Sequence, residues 1–324
     1  MFTEKDFEVL KKEAEKECYL YTVRDSIRID DFFHQLHPEL TLSKIRKIIK
    51  EGQVTIDGET VKPNKKLHKG NKIDIDLHRP ETNLPVKENL NLEIIFEDEY
   101  LAVINKPPGI VVHPAPGNYE GTIVSGLLYY FDELAASKEK TRVGIVHRLD
   151  KETSGVLLIA KTDEAHEKLS ALFKDRKMRK VYQGIVYGKL KEKKGVVNEP
   201  IGRSLSDRTK MAVRYDNSRE AITAYQVLQE SENHDFSLIE FYPKTGRTHQ
   251  IRIHAKFLNC PIAGDKKYLK GKYPFQSTIS RHLLHARSLS FIHPFTQKEL
   301  SFTANHFDDF LHLQEKIFHS STIV

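Results

Sequence analysis

The stretch VHRLDKETSGVLLIAKT, Val146 to Thr162, decides how this chain is read. It places a histidine, an arginine and an aspartate within four positions, turns polar over Thr153-Ser154-Gly155, and then runs apolar through VLLIA. The polar turn therefore leads into an apolar strand, VLLIA. Asp150 then sits on a loop at the edge of that strand, where a carboxylate is well placed to face a cleft. Two readings stand at this point. Either VHRLD is a charged surface turn, or Asp150 is held for chemistry.

Working outward, residues 163–177 carry a helical stripe of Ala165, Leu169, Leu172 and Phe173. A second helical pattern lies near 122–138 and a last one near 306–318. Between them strands dominate: LEIIF, YLAVINK, KVYQGIVYG, AITAYQVL, SLIEFY and RTHQIRIH. Many strands with few helices predict an α+β catalytic domain over 92–324, built on a mixed, largely antiparallel sheet with flanking helices.

Residues 24–79 predict a separate small α/β domain. Arg28 to Leu36 reads as a short helix. In TLSKIRKIIKEG, Ser43 is the expected cap of a helix whose Ile45, Ile48 and Ile49 face inward and which Gly52 ends. Lys44, Arg46, Lys47 and Lys50 occupy its other positions. QVTIDGETV is a hairpin turning at Asp57-Gly58, and LHKGNKIDIDL adds a strand. The polar, proline-bearing stretch HRPETNLPVKENLN contains the expected linker, 80–91. At the N-terminus, Thr3 and Asp6 predict the cap of an amphipathic helix bearing Phe7, Leu10 and Ala14, within an extension over 1–23.

The chain has 324 residues, 39% hydrophobic, 30% charged and with a net charge of +6, which suits a globular protein of two or three domains. A modest basic excess permits an anionic partner without requiring one. The two cysteines, Cys18 and Cys260, lack ligand or redox spacing. The charged N-terminus is no signal peptide, and no apolar run is long enough to span a bilayer. A cytoplasmic protein without membrane contact is expected, as a monomer. There is no G-x-G-x-x-G, P-loop or G-x-S-x-G. HRLDK differs from a kinase catalytic loop in residue order, and the other kinase motifs are missing. His249 and His254, read on a strand, point to opposite faces and make poor joint metal ligands. No metal and no cofactor are therefore expected.

What remains is an aspartate with arginines and tyrosines. In KTGRTHQIRIHA, Gly246 lets the backbone turn before Arg247 enters a strand. An arginine beside a carboxylate keeps it ionised and fixes its orientation, as a nucleophile or positioned base requires. An ordinary buried ion pair has the same composition, and the residues alone leave both readings open.

GIVHRLDKETSGVLLIAKT resembles the catalytic loop of the RluA-type pseudouridine synthases. INKPPGIVVHPAPGN, RKVYQGIVYG, IGRSLSDRTKMAV, KTGRTHQIRIHAKFLNCPIAGDKKY and RHLLHARSLSFIHP resemble that family's other segments in the same order, over roughly residues 92–305. The 24–79 domain resembles the small RNA-binding domain shared with a ribosomal small-subunit protein, which together is the RluD-like architecture. The resemblance implies an isomerase that converts RNA uridine to pseudouridine. It makes Asp150 the catalytic aspartate, Arg148 the residue that helps displace the flipped nucleotide, Tyr182 the tyrosine that contacts uracil, and Arg247 the basic partner of Asp150. It implies RNA as partner, ribosomal RNA first and transfer RNA also possible, with Lys44, Arg46, Lys47 and Lys50 as phosphate contacts. Alternative readings are a non-catalytic ribosome-assembly factor that kept the fold, or another RNA-modifying enzyme on the same binding domain.

Overall fold

A computed structural model describes residues 7–12, 16–23, 25–77, 85–114, 120–135, 142–232 and 234–318. The chain divides into two compact units, Met1–Thr82 and Asn83–Val324.

In the first unit β1 (Phe7–Lys12) and β2 (Lys16–Tyr21) precede α1 (Ile29–Leu36), α2 (Leu42–Lys50), β3 (Val54–Ile56), β4 (Glu59–Thr60) and β5 (Lys72–Asp76). The strands pair antiparallel in the order β1-β2-β5-β3-β4. The expected N-terminal helix is thus a hairpin where it is described; Thr3, Asp6 and Ala14 lie outside the described residues. The reason lies in the aromatic residues. Tyr19 and Tyr21, two apart, both turn inward onto Phe32 of α1, and Phe7 closes the cluster with its ring 5.4 Å from Tyr19 and 5.7 Å from Phe32. A helix could not present both tyrosines to one surface. The cap of α2 is Thr41, whose hydroxyl accepts from the Lys44 amide, rather than Ser43. Asp57 and Gly58 both have positive φ (53° and 84°), as a two-residue hairpin turn requires. Asp30, fully buried, accepts from Arg28 and from Arg46 on α2.

The second unit begins sooner than expected. From Glu88 the supposed linker makes contacts: the Glu88 carboxylate accepts from the Gly121 amide, and Leu90 and Leu92 cover Gly126. Its strands are β6 (Glu93–Glu97), β7 (Leu101–Lys106), β8 (Ser154–Ala160), β9 (Arg179–Tyr187), β10 (Lys194–Asn198), β11 (Ile201–Arg203), β12 (Met211–Val213), β13 (Ser218–Arg219), β14 (Ile222–Glu230), β15 (Phe236–Pro243), β16 (Leu284–Ile292) and β17 (Glu299–Thr303). The helices are α3 (Ile123–Tyr130), α4 (Asp163–Lys174), α5 (Gln250–Phe257) and α6 (Asp308–Phe318). The main sheet runs β10-β14-β15-β9-β16-β8-β7-β6, with β17 on β16, and β12-β11-β13 form a small second sheet. All described pairings in the main sheet are antiparallel except β16 with β8. This is the mixed, largely antiparallel α+β fold read from the sequence.

The apolar run of β8 is buried at every position. Val156, Leu158 and Ala160 face a core with Ala165 and Leu169 of α4, whereas Leu157 and Ile159 face one with Ile123 and Leu127 of α3. A helix on each side explains why this strand is apolar throughout. At its start β8 meets β16 closely. Gly155 has φ 110°, and a Cβ there would lie 2.2 Å from the Ala286 carbonyl oxygen, so only glycine fits.

RTHQIRIH is not a strand. It forms the start of α5, with Ile251 and Ala255 packed on the main sheet and Ile253 on Ile201, Ala221 and Tyr268. Alternation of isoleucine with polar residues imitates a strand here because the helix is covered on two sides.

Candidate active site

Asp150 opens a turn closed by the Thr153 amide on its carbonyl (3.1 Å), directly before β8. Buried basic side chains hold the rest of the turn. Lys106 at the end of β7, with no exposed surface, donates Nζ to the carbonyls of Pro107 (2.8 Å), Ile110 (2.9 Å) and Lys151 (3.0 Å). Arg281 donates Nη1 to the Glu152 carbonyl (3.0 Å) while its other nitrogens grip Asp309. The Thr153 hydroxyl pairs with His282 Nε2 (2.8 Å) and that of Ser154 with His285 Nδ1 (2.9 Å). The charged turn is therefore a pinned loop in which the carbonyls of Asp150, Lys151 and Glu152 are each taken.

The loop faces a cleft lined by Arg148, Asp150, Lys180, Tyr182, Arg247, His249 and Arg252. β9 supplies Tyr182 and, two residues earlier on the same face, Lys180. α5 and the loop before it supply the rest. That loop is fixed by Gln250, whose side-chain oxygen accepts from the Arg247 amide (3.0 Å) and the Thr245 hydroxyl (2.8 Å), while its nitrogen donates to Ile222 and Thr223. The left-handed residue of the loop is His249 (φ 57°), not Gly246.

The partner of Asp150 is Arg252. Its Nη1 donates to Asp150 Oδ2 at 2.8 Å, and its Nε and Nη2 grip Asp265 at 2.7 and 2.8 Å. Arg247, expected in that role, lines the same cleft and donates Nε to the Glu220 carbonyl (2.9 Å). The difference follows from α5: on a helix, position 252 turns toward Asp150, and the strand reading hid it. Arg252, Asp265, His249 and Tyr268 were all missed as site residues. The spacing of Ile251, Ala255 and Leu258, a helical repeat, was the available signal.

Burial works against ionising Asp150, but in the acidic range where it titrates the protonated His249 ring, with the Arg252 charge and hydrogen bond, holds its carboxyl below the usual range. His249 is itself pushed down to about 4 by burial, so at neutral pH it is uncharged and Arg252 keeps Asp150 ionised. Burial, and then the Asp150 charge, raise the Tyr182 hydroxyl well above the tyrosine range, so it stays protonated. Burial lowers the Lys180 ammonium to about 8.

Arg148 is exposed on the cleft lining. His147 is structural: pushed down to about 3 by burial, its Nε2 accepts the Leu158 amide (2.9 Å) and its ring stacks on Phe173. His254 likewise bonds Thr223 and the Glu199 carbonyl in the interior. On α2, Lys44, Arg46, Lys47 and Lys50 are all exposed, although Arg46 is tied to Asp30 (2.7 Å). Among the described residues no three His, Cys, Asp or Glu side chains gather to hold a metal ion, and no helix is long and apolar enough to cross a membrane.

Residues 100–257, which carry Asp150, Tyr182 and Arg252, match the family model for RNA pseudouridylate synthase, and residues 27–73 match the S4 domain. A Bacillus subtilis RNA pseudouridine synthase is 38% identical over 90% of this chain and 94% of its own length. The chain belongs to the RNA pseudouridine synthases. The ribosomal large subunit pseudouridine synthase D of Pseudomonas aeruginosa is 36% identical, over 88% of this chain and 90% of that protein. The solved human RNA pseudouridylate synthase domain containing 4 aligns with a TM-score of 0.53 and 30% identity, over 69% of this synthase and 92% of that chain. This pseudouridine synthase is thus an isomerase acting on RNA uridine, carrying its S4 domain ahead of the catalytic unit.

Proposed function

We propose that this synthase isomerises uridines of large-subunit ribosomal RNA in the cytoplasm, using Asp150 on a nucleotide flipped into the cleft. The ionised carboxylate held by Arg252 between the β8 turn and α5 carries this reading. The reaction breaks the bond from uracil N1 to ribose C1′, turns the base, and joins C5 to C1′. The C5 proton is lost to solvent and N1 gains one, so the atoms balance without an oxidant or co-reactant. An anionic Asp150 serves as the nucleophile or as the base for a ribose proton. The protonated Tyr182 offers a ring for stacking and a hydroxyl for donation. Arg148, exposed on the lining, suits the space vacated by the flipped base, and Arg247 suits a flanking phosphate. Flipping costs a few kcal/mol, which phosphate contacts from Lys44, Lys47 and Lys50 help to offset.

The ribosomal assignment follows the Pseudomonas aeruginosa relative and the S4 domain, a domain order it fits. The test uses RNA tritiated at uridine C5. Asp150→Asn is expected to abolish tritium release while RNA binding persists. Wild-type protein that releases no tritium from any cellular RNA would favour a binding factor instead. Mapping pseudouridine in a deletion strain reads the substrate: a site lost from large-subunit RNA supports the assignment, and one lost only from transfer RNA overturns it.

A further inference from the structure

His249 lines the cleft with its Nε2 3.9 Å from Asp150 Oδ2, the oxygen that also takes Arg252 Nη1 at 2.8 Å. The other face of the imidazole is fixed. Nδ1 lies 2.6 Å from the hydroxyl oxygen of Tyr268, a residue only 4% exposed, and that oxygen accepts the Met211 amide at 3.0 Å. Among the described residues Nδ1 is the one acceptor within reach of the Tyr268 hydroxyl proton, which gives Tyr268 the donor role and Nδ1 the acceptor role. A neutral imidazole then carries its proton on Nε2. The opposite tautomer would turn a lone pair toward the carboxylate. No hydrogen bond among the described residues ends on Asp150 Oδ1.

We propose that His249, fixed by Tyr268 as the Nε2–H tautomer, is a positioning residue for the isomerisation. With Arg252 it directs Oδ2 of Asp150 and leaves Oδ1 to face the ribose. At 3.9 Å the N–H does not hydrogen-bond the carboxylate in the free protein. It closes on Oδ2, directly or through one substrate hydroxyl, when the nucleotide fills the cleft. The tautomer is set from outside the cleft, by the β12 backbone amide of Met211. This rests on the reading of Asp150 as the acting carboxylate.

A histidine that merely fits the turn makes an opposite prediction. Left-handed backbone favours asparagine over glutamine, whereas a donor at the Nε2 position is replaced by the glutamine amide and not by the shorter asparagine. In single-turnover tritium release, His249→Gln is expected to lose about fivefold and His249→Asn on the order of 10²-fold, with RNA affinity unchanged. Nitrogen-15 NMR of the full-length protein at neutral pH should show His249 protonated on Nε2, and Tyr268→Phe should shift it toward Nδ1. This readout needs no active variant, so it decides the tautomer even where a substitution fails to fold. An Nδ1–H tautomer in the wild type, or asparagine at least as fast as glutamine, overturns the proposal. Tritium release by Asp150→Asn would sink the reading of Asp150 itself, whereas an inactive Asp150→Asn beside equal glutamine and asparagine rates sinks His249 alone.

Discussion

Replacing Arg252 by methionine removes three charge-assisted hydrogen bonds and leaves two carboxylates, Asp150 and the 1%-exposed Asp265, without their shared cation. Removing one partner of a buried pair typically costs about 3–5 kcal/mol. For a unit of this size each kcal/mol moves the melting temperature by about 2–4 °C, so a drop on the order of 10 °C is expected. The pH dependence is more diagnostic than the size. In the wild type the Asp150 carboxyl lies below its unfolded value, so its contribution is present above that value and is lost as pH falls through the folded one. Without Arg252 the burial that opposes ionisation is met only by the neighbouring histidines, which are uncharged at neutral pH, so the Asp150 pKa is expected to rise. The penalty is then full at pH 7–8 and relieved toward pH 5 as Asp150 takes up a proton. His249, freed of the Arg252 charge, protonates more readily and acts in the same direction. The protein has no tryptophan, so circular dichroism follows urea unfolding at pH 5, 6.5 and 8. Tritium release should fall by about 10²–10³-fold. Arg252→Lys should recover only part, because one ammonium cannot span both carboxylates. A destabilisation below about 1 kcal/mol, or one equal at pH 5 and 8, would refute the assignment of Arg252 as the group that keeps Asp150 ionised.

Neutralising Lys44, Lys47 and Lys50 together should weaken RNA binding and flatten its salt dependence by about 0.7–0.9 for each phosphate left without its cation; unchanged affinity would make that face a solvated one. Arg46→Gln should differ in kind, costing the first unit about 1–3 kcal/mol because buried Asp30 keeps only Arg28, seen as an earlier unfolding transition. Gly155→Ala should destabilise the catalytic unit by roughly 3 kcal/mol or more, since it combines φ 110° with a Cβ 2.2 Å from the Ala286 oxygen; a melting temperature within a degree of wild type would contradict the close β8–β16 approach. Tyr182→Phe should lower kcat with KM little changed, while Tyr182→Ala should also raise KM by the loss of about 1–3 kcal/mol of stacking. Equal KM in the two variants would remove the ring from base binding.

Strands β6–β9, β14 and β15 and helices α3, α4 and α6 were legible from local apolar runs and helical spacing. VLLIA is apolar throughout since both faces of β8 are covered, and Asp57-Gly58 announces its turn by backbone preference alone. The ordered blocks of resemblance singled out Asp150, Tyr182 and Arg148, and the structure puts all three on one cleft lining. Local spacing misled where tertiary burial outweighed it. Val9 and Leu10 lie in a hairpin because Tyr19 and Tyr21 need one common surface, and the end of the supposed linker docks because Leu90 and Leu92 have Gly126 to cover.

The amino-acid pattern alone established that a carboxylate precedes an apolar strand and that arginines stand in a later segment. Which arginine meets it was decided only by tertiary structure. QIRIHAKF alternates like a strand and folds as a helix, because the main sheet covers Ile251 and the small sheet covers Ile253. The turn of that helix brings Arg252 to Asp150 from 102 residues away and leaves Arg247 elsewhere on the cleft lining. A charge pair across such a distance has no local signature, since its geometry exists only once both cores are packed.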